Sequence, residues 1–144
     1  MKSIPLLFIL LLLFSGSCKN ESFGTGEYSG VLNKPLVMGN QHVALFPLVD
    51  SNILEVKIRS ISDSRCPSDV TCFWEGEVLV AFEIRNINYA VSLCLGQRDT
   101  CISTFEFSFN NINYQLELRN VLPYPSTKNS DQEKVVEFAV NQLN

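Results

Sequence analysis

Val78-Leu79-Val80-Ala81-Phe82-Glu83-Ile84-Arg85 decides the fold class, because Val78, Val80, Phe82 and Ile84 fall on every second position with Leu79, Ala81, Glu83 and Arg85 between them. Successive side chains of a strand point to opposite faces, so a period of two describes a half-buried strand, whereas a helix needs apolar residues three and four apart. The same alternation recurs on either side. Leu54, Val56 and Ile58 alternate with Glu55, Lys57 and Arg59; Tyr89, Val91, Leu93 and Leu95 run up to Gly96-Gln97-Arg98-Asp99, which reads as a turn. A return strand is expected next, with Phe105, Phe107 and Phe109 on one face supplying much of the apolar area that a small core needs. Asn110-Asn111 fits a tight hairpin turn because asparagine tolerates positive φ, and Ile112, Tyr114, Leu116 and Leu118 follow as the next strand.

Towards the ends the pattern thins. His42–Leu45 gives a short early strand. Near the C-terminus, Ser130-Asp131-Gln132-Glu133 matches a helix capping box, while Val136, Phe138 and Val140 alternate as a strand would. We take residues 134–142 as a strand, since Pro123 and Pro125 suit a connection crossing between sheets and a last strand beside the first closes a sandwich. The expectation is an all-β fold: an antiparallel β-sandwich or barrel of about seven or eight short strands. No internal repeat, coiled coil or low-complexity tract interrupts it.

Upstream, Lys2, the apolar run Ile4–Phe14 and Ser15-Gly16-Ser17-Cys18 have the parts of an export signal, and the run is shorter than the ~20 residues of a membrane span. The stretch resembles a bacterial lipoprotein signal, in which the cysteine is acylated and becomes the new N-terminus. Ordinary secretory cleavage is the alternative, since Ser15 stands where that pattern usually carries Leu. The expected organisation is a signal peptide over 1–17, a lipidated N-terminus and flexible tether over 18–34, and one β domain over 35–144. Gly24, Gly26 and Gly30 among serines and threonines make the tether flexible.

Five cysteines leave one thiol over in an oxidising compartment. Acylation of Cys18 accounts for it, and Cys66, Cys72, Cys94 and Cys101 remain as an even set with three connectivities. Pairing 66 with 72 and 94 with 101 closes rings of seven and eight residues. Crossed pairings close rings of about thirty, ~1.2 kcal/mol less favourable in loop closure alone. The local pairs are therefore expected, with the 94–101 bridge stapling the Gly96–Asp99 turn. Neither spacing matches a zinc knuckle, so no metal or other cofactor is expected.

The chain carries 11 basic and 15 acidic residues, a net charge of −4, and no cluster of Lys and Arg. Nucleic acid is therefore not an expected partner, and attachment to a membrane would have to come from acyl chains. One histidine, His42, has no nucleophile turn near it in sequence, and the chain holds neither a phosphate-binding glycine loop nor a dinucleotide fingerprint. Glu75 and Glu77 stand two apart, as acid/base chemistry could use, but their ordinary role is to charge an exposed strand edge. No catalysis is expected.

Asp63-Ser64-Arg65-Cys66-Pro67-Ser68-Asp69-Val70-Thr71-Cys72-Phe73-Trp74-Glu75-Gly76-Glu77 is too specific for a generic loop. It resembles a group of small bacterial secreted proteins and lipoproteins without an assigned function, which carry Arg-Cys-Pro, a short spacer, Cys, then Trp and Gly at alternate positions. Arg65, Cys66, Pro67, Val70, Cys72, Trp74 and Gly76 match, and Gly39, Gln41 and Leu122-Pro123-Tyr124-Pro125 extend the resemblance across most of residues 36–141. Where many members carry Ala before the Gly, this chain has Glu75.

Physically, a disulfide over five intervening residues with Pro67 inside makes a stiff knuckle between strands. Trp74 is expected to lie on the strand face beside Cys72 and cover the sulfur pair. Two uses follow. The motif packs a long connection onto the core, or it presents Arg65, Ser68 and Asp69, with Trp74, as a binding loop that loses little entropy on association. The expected role is thus a lipid-anchored, non-catalytic binding or structural module of the bacterial envelope, at the outer membrane, whose partner is an envelope protein or a glycan. The rivals are an inhibitor or immunity protein presenting the Cys66–Cys72 loop to a secreted enzyme, and a glycan-binding lipoprotein using Trp74, Tyr114 or Tyr124.

Overall fold

A computed structural model describes residues 26–144. The leader, Cys18 and the first part of the expected tether lie outside the described residues. The described residues form nine strands, β1 (Glu27–Ser29), β2 (Pro35–Gly39), β3 (Val43–Pro47), β4 (Ile53–Asp63), β5 (Glu77–Ile84), β6 (Tyr89–Gly96), β7 (Thr104–Phe109), β8 (Ile112–Leu122) and β9 (Val135–Gln142). They make two sheets, in the orders β1-β3-β4-β5-β6 and β2-β9-β8-β7. Among the described residues no helix is long and apolar enough to cross a membrane.

The all-β sandwich with two local disulfides is as expected, and the C-terminal segment is a strand. Three details differ. The folded domain starts before residue 35: β1 pairs with β3 in parallel, the Gly30 amide donates to the Leu45 carbonyl at 2.8 Å, and Gly30 is buried against the Phe46 ring. A Cβ at Gly30 would stand 2.3 Å from that ring, so the glycine there allows close packing in place of the expected flexibility. β7 does not return beside β6; it crosses to the second sheet, where Phe107 stacks on Tyr114 at 5.7 Å between centroids. β9 lies between β2 and β8, so the last strand pairs with β2 and not with the His42–Leu45 strand.

The alternating residues meet between the sheets. Leu54, Val56 and Ile58 of β4 and Val78, Val80, Phe82 and Ile84 of β5 are buried against Tyr114, Leu116 and Leu118 of β8 and Val136, Phe138 and Val140 of β9. Phe138 touches both Phe46 and Phe82. Burial of such side chains contributes about 1.5–3 kcal/mol each relative to exposure. The Asn110-Asn111 turn has φ of 51° and 60°, the left-handed pair that a two-residue hairpin requires.

Two bulges reset which residues face inward. The β4–β5 register slips at Arg59, and the β8–β9 register slips at Arg119. After the first, Asp63 comes opposite the buried Val78; after the second, Val121 instead of Asn120 enters the core. Both slips lie towards one end of the sandwich, and that end carries the Cys66–Cys72 loop.

Candidate functional site

The Cys66–Cys72 loop leaves β4 at Asp63 and rejoins the sheet at Glu77. Its neck is closed by the Ser64 amide donating to the Glu77 carbonyl at 2.9 Å and the Cys66 amide donating to the Glu75 carbonyl at 2.7 Å. Gly76 makes that approach feasible: its φ is +70°, and a Cβ there would stand 2.0 Å from the Ser64 carbonyl oxygen. The disulfide then closes the ring with Cα atoms 5.9 Å apart.

Arg65 is not presented to a partner. Its guanidinium donates to both oxygens of Asp63, at 2.8 and 2.7 Å, and to the Val121 carbonyl at 2.9 Å, while lying 4.5 Å from the Tyr124 ring centroid. Its side chain is only 8% exposed and that of Asp63 only 7%. Lys134 completes the cluster, with Nζ 3.2 Å from Asp63 and donating to the Pro123 carbonyl at 2.7 Å. Burial pushes the Asp63 carboxyl up, but the hydrogen bonds and charge of Arg65, helped by Lys134, outweigh it and hold the group below its ordinary value. The expectation of an exposed Arg65 is thus corrected. The bulge at Arg59 turns Asp63 inward, and a buried carboxylate must have a cation to pair with.

Asp69 is exposed but engaged: its carboxylate accepts from the Thr127 amide at 2.9 Å and from the Thr127 hydroxyl. The Thr127 bonds hold its carboxyl below the ordinary value. The Ser68 amide donates to the Pro125 carbonyl at 2.9 Å, and Ser68 is exposed. These contacts tie the loop to the 123–134 connection. The segments that carry the family resemblance, at 65–76 and 122–125, therefore pack together.

Trp74 does not cover the disulfide. It precedes β5, is 67% exposed, and lies with its ring centroid 5.4 Å from the Arg98 guanidinium of the second stapled turn. The reason is that Gly76 turns the backbone before the strand begins, so strand alternation does not reach back to Trp74. Phe73 beside it is fully exposed at 106%. Phe73, Glu75, Gln97 and Arg98 are not among the binding residues the sequence suggests, although two adjacent aromatics outside any alternating run are a legible sign, since both cannot turn inward together.

Trp74, Glu75, Gly76, Gln97 and Arg98 line an open recess of about 340 Å³ between the two stapled turns. Arg98 also pairs with Glu77 at 3.4 Å. The Cys94–Cys101 turn is held by the Cys94 amide donating to the Ile102 carbonyl at 2.8 Å and the Cys101 amide donating to the Arg98 carbonyl at 2.9 Å. Of the other aromatic candidates, Tyr114 is buried; Tyr124 is half-exposed, with Arg65 over its ring, and lies outside the recess. His42 is half-buried with its ring edge-on to Tyr28 at 5.3 Å. Glu75 lies outside β5, so it does not share a strand face with Glu77. Glu77, Cys94 and Cys101 bring potential metal ligands together, but the two sulfurs are bonded to each other and offer no thiolate.

No family model, curated protein or solved structure matches the chain. The site is a platform with two open aromatic rings and a polar rim, held by two disulfides and by the buried Asp63–Arg65 pair at the loop's base.

Proposed function

We propose that this chain is a lipid-anchored, non-catalytic binding module of the bacterial envelope, held at the outer membrane through Cys18, of the group whose Arg-Cys-Pro motif it resembles. The observation that carries the reading is the exposure of Phe73 and Trp74, 106% and 67%, on a loop whose base is locked. Exposed apolar rings are unfavourable in water, and a rigid aromatic surface loses little entropy when a partner covers it. The part of Arg65 in this reading is structural, which removes the ground for an inhibitor that leads with that cation.

The test has two arms. Labelled palmitate should enter the wild type and not Cys18→Ser; absence of label from both would remove the anchor. A photo-crosslinking amino acid at Phe73 should yield discrete adducts in intact cells. The same probe at Val49, which is 87% exposed in the turn between β3 and β4, should not. Equal yields at the two positions would remove the binding role.

A further inference from the structure

We infer that the recess between the two stapled turns is a subsite for a neutral saccharide, with Trp74 as the plate on which a sugar ring lies and Glu75, Gln97 and Arg98 as its polar rim. This rests on the binding-module reading and names the ligand class. A pyranose has an apolar face of C–H bonds and an edge of hydroxyls. A matching site needs a flat, accessible ring and planar groups at its margin that both donate and accept. Trp74 supplies the first. The Gln97 amide and the Glu75 carboxylate supply the second, and neither side chain makes a hydrogen bond or ion pair among the described residues. The Arg98 guanidinium lies over one face of the indole, 5.4 Å from its centroid, and is itself held by Glu77; it braces the ring from that side, and the ring, 67% exposed, offers its other face to a sugar before any ligand arrives.

Charge decides against an anionic ligand. The one cation of the rim, Arg98, is already paired with Glu77, and Glu75 adds a second carboxylate beside it. A phosphate or sulfate there would meet more negative charge than positive. A deep apolar ligand fits no better, because the recess is open and small, about 340 Å³, with room for one or two sugar rings and no enclosed cavity.

Trp74 is the only tryptophan of the chain, so intrinsic fluorescence reports on this site alone. The mature full-length protein in nanodiscs should retain neutral oligosaccharides on a glycan array. Titration with the best of these should shift Trp74 emission saturably. Trp74→Ala should weaken array binding about tenfold or more, Gln97→Ala should weaken it measurably, and Val49→Ala should leave it unchanged. Non-reducing peptide maps showing both disulfides intact would confirm that each variant is folded. Retention of no neutral saccharide, or undiminished binding by Trp74→Ala, overturns the inference. If adducts at position 73 to an envelope protein persist in that case, the binding-module reading stands without the sugar. Emission of Trp74 already shielded by the nanodisc bilayer and unresponsive to saccharide overturns it in favour of a membrane contact.

Discussion

Arg65 grips Asp63 with two hydrogen bonds, at 2.8 and 2.7 Å, two residues away in sequence and almost wholly out of solvent. The pair sits where β4 becomes the loop, and its third partner, the Val121 carbonyl at 2.9 Å, belongs to the opposite sheet. The loop is therefore fastened to both layers of the sandwich by one side chain. Breaking a buried pair leaves the remaining charge uncompensated.

Arg65→Ala should accordingly destabilise the fold by about 3 kcal/mol, because Asp63 would keep only Lys134 for charge compensation. Arg65→Lys should recover part of this and not all, since an ammonium cannot reproduce the two-pronged contact. Urea unfolding of the Cys18→Ser protein measures both. Equal stability of Arg65→Ala and the wild type would refute the role assigned to the pair.

The Asp63 carboxyl has its pKa lowered by Arg65 and Lys134 against the effect of burial, so its contribution to stability is complete above its ordinary value of 3.8. That contribution is lost as pH falls below 3.8 towards the lower value in the folded protein. Glu117, lowered chiefly by its hydrogen bond from Arg119, acts in the same direction. Urea midpoints should be level from neutral pH down to about 5, then fall as the pH drops below the ordinary 4.5 of Glu117 and the ordinary 3.8 of Asp63. Asp63→Asn should start lower and fall less steeply over that acid range.

Gly76→Ala should destabilise by about 2–4 kcal/mol, combining a positive φ with a backbone clash. The Cβ would meet the Ser64 carbonyl at 2.0 Å, and backbone can retreat only by opening the loop neck. Limited proteolysis between residues 66 and 76 should speed up in step with the loss in thermal stability. An unchanged cleavage rate would count against the neck geometry.

Replacing Cys66 and Cys72 together by Ser should lower stability by about 2 kcal/mol, the loop-entropy value for so short a ring. The sandwich should survive, because its core draws on strands from β2 to β9 and not on the loop. Near-native far-UV circular dichroism with an earlier thermal transition is the expected result.

Asn111→Gly should stabilise the β7–β8 hairpin by about 0.5 kcal/mol, since Asn111 has φ of 60° and glycine enters that region without strain. A rise of one or two degrees in melting temperature would show it.

The period-two runs in β4, β5, β6, β8 and β9 were legible because alternation is a local property of a half-buried strand. The disulfide pairs were legible for a similar reason: short rings close more easily than long ones. β1 was not, since Glu27-Tyr28-Ser29 carries no alternation long enough to notice and is a strand only because β3 offers an edge. The Arg59 and Arg119 bulges were also invisible, and with them the inward turn of Asp63.

Trp74 shows where reading by periodicity stops. Counting in twos from Cys72 placed it over the sulfurs, but Gly76 breaks the count at φ +70° and leaves the ring in solvent beside Arg98. Local chemistry by itself determined that the chain pleats, where it turns and which sulfurs join, because neighbours along the chain settle each of these. Which layer each strand joins, which of Arg65 and Trp74 is hidden, and which rings stand open were decided only when the two sheets closed on each other. Burial of the Arg65 and Asp63 charges depends on the Val121 carbonyl and on Lys134, dozens of residues away, and no local pattern encodes their distance.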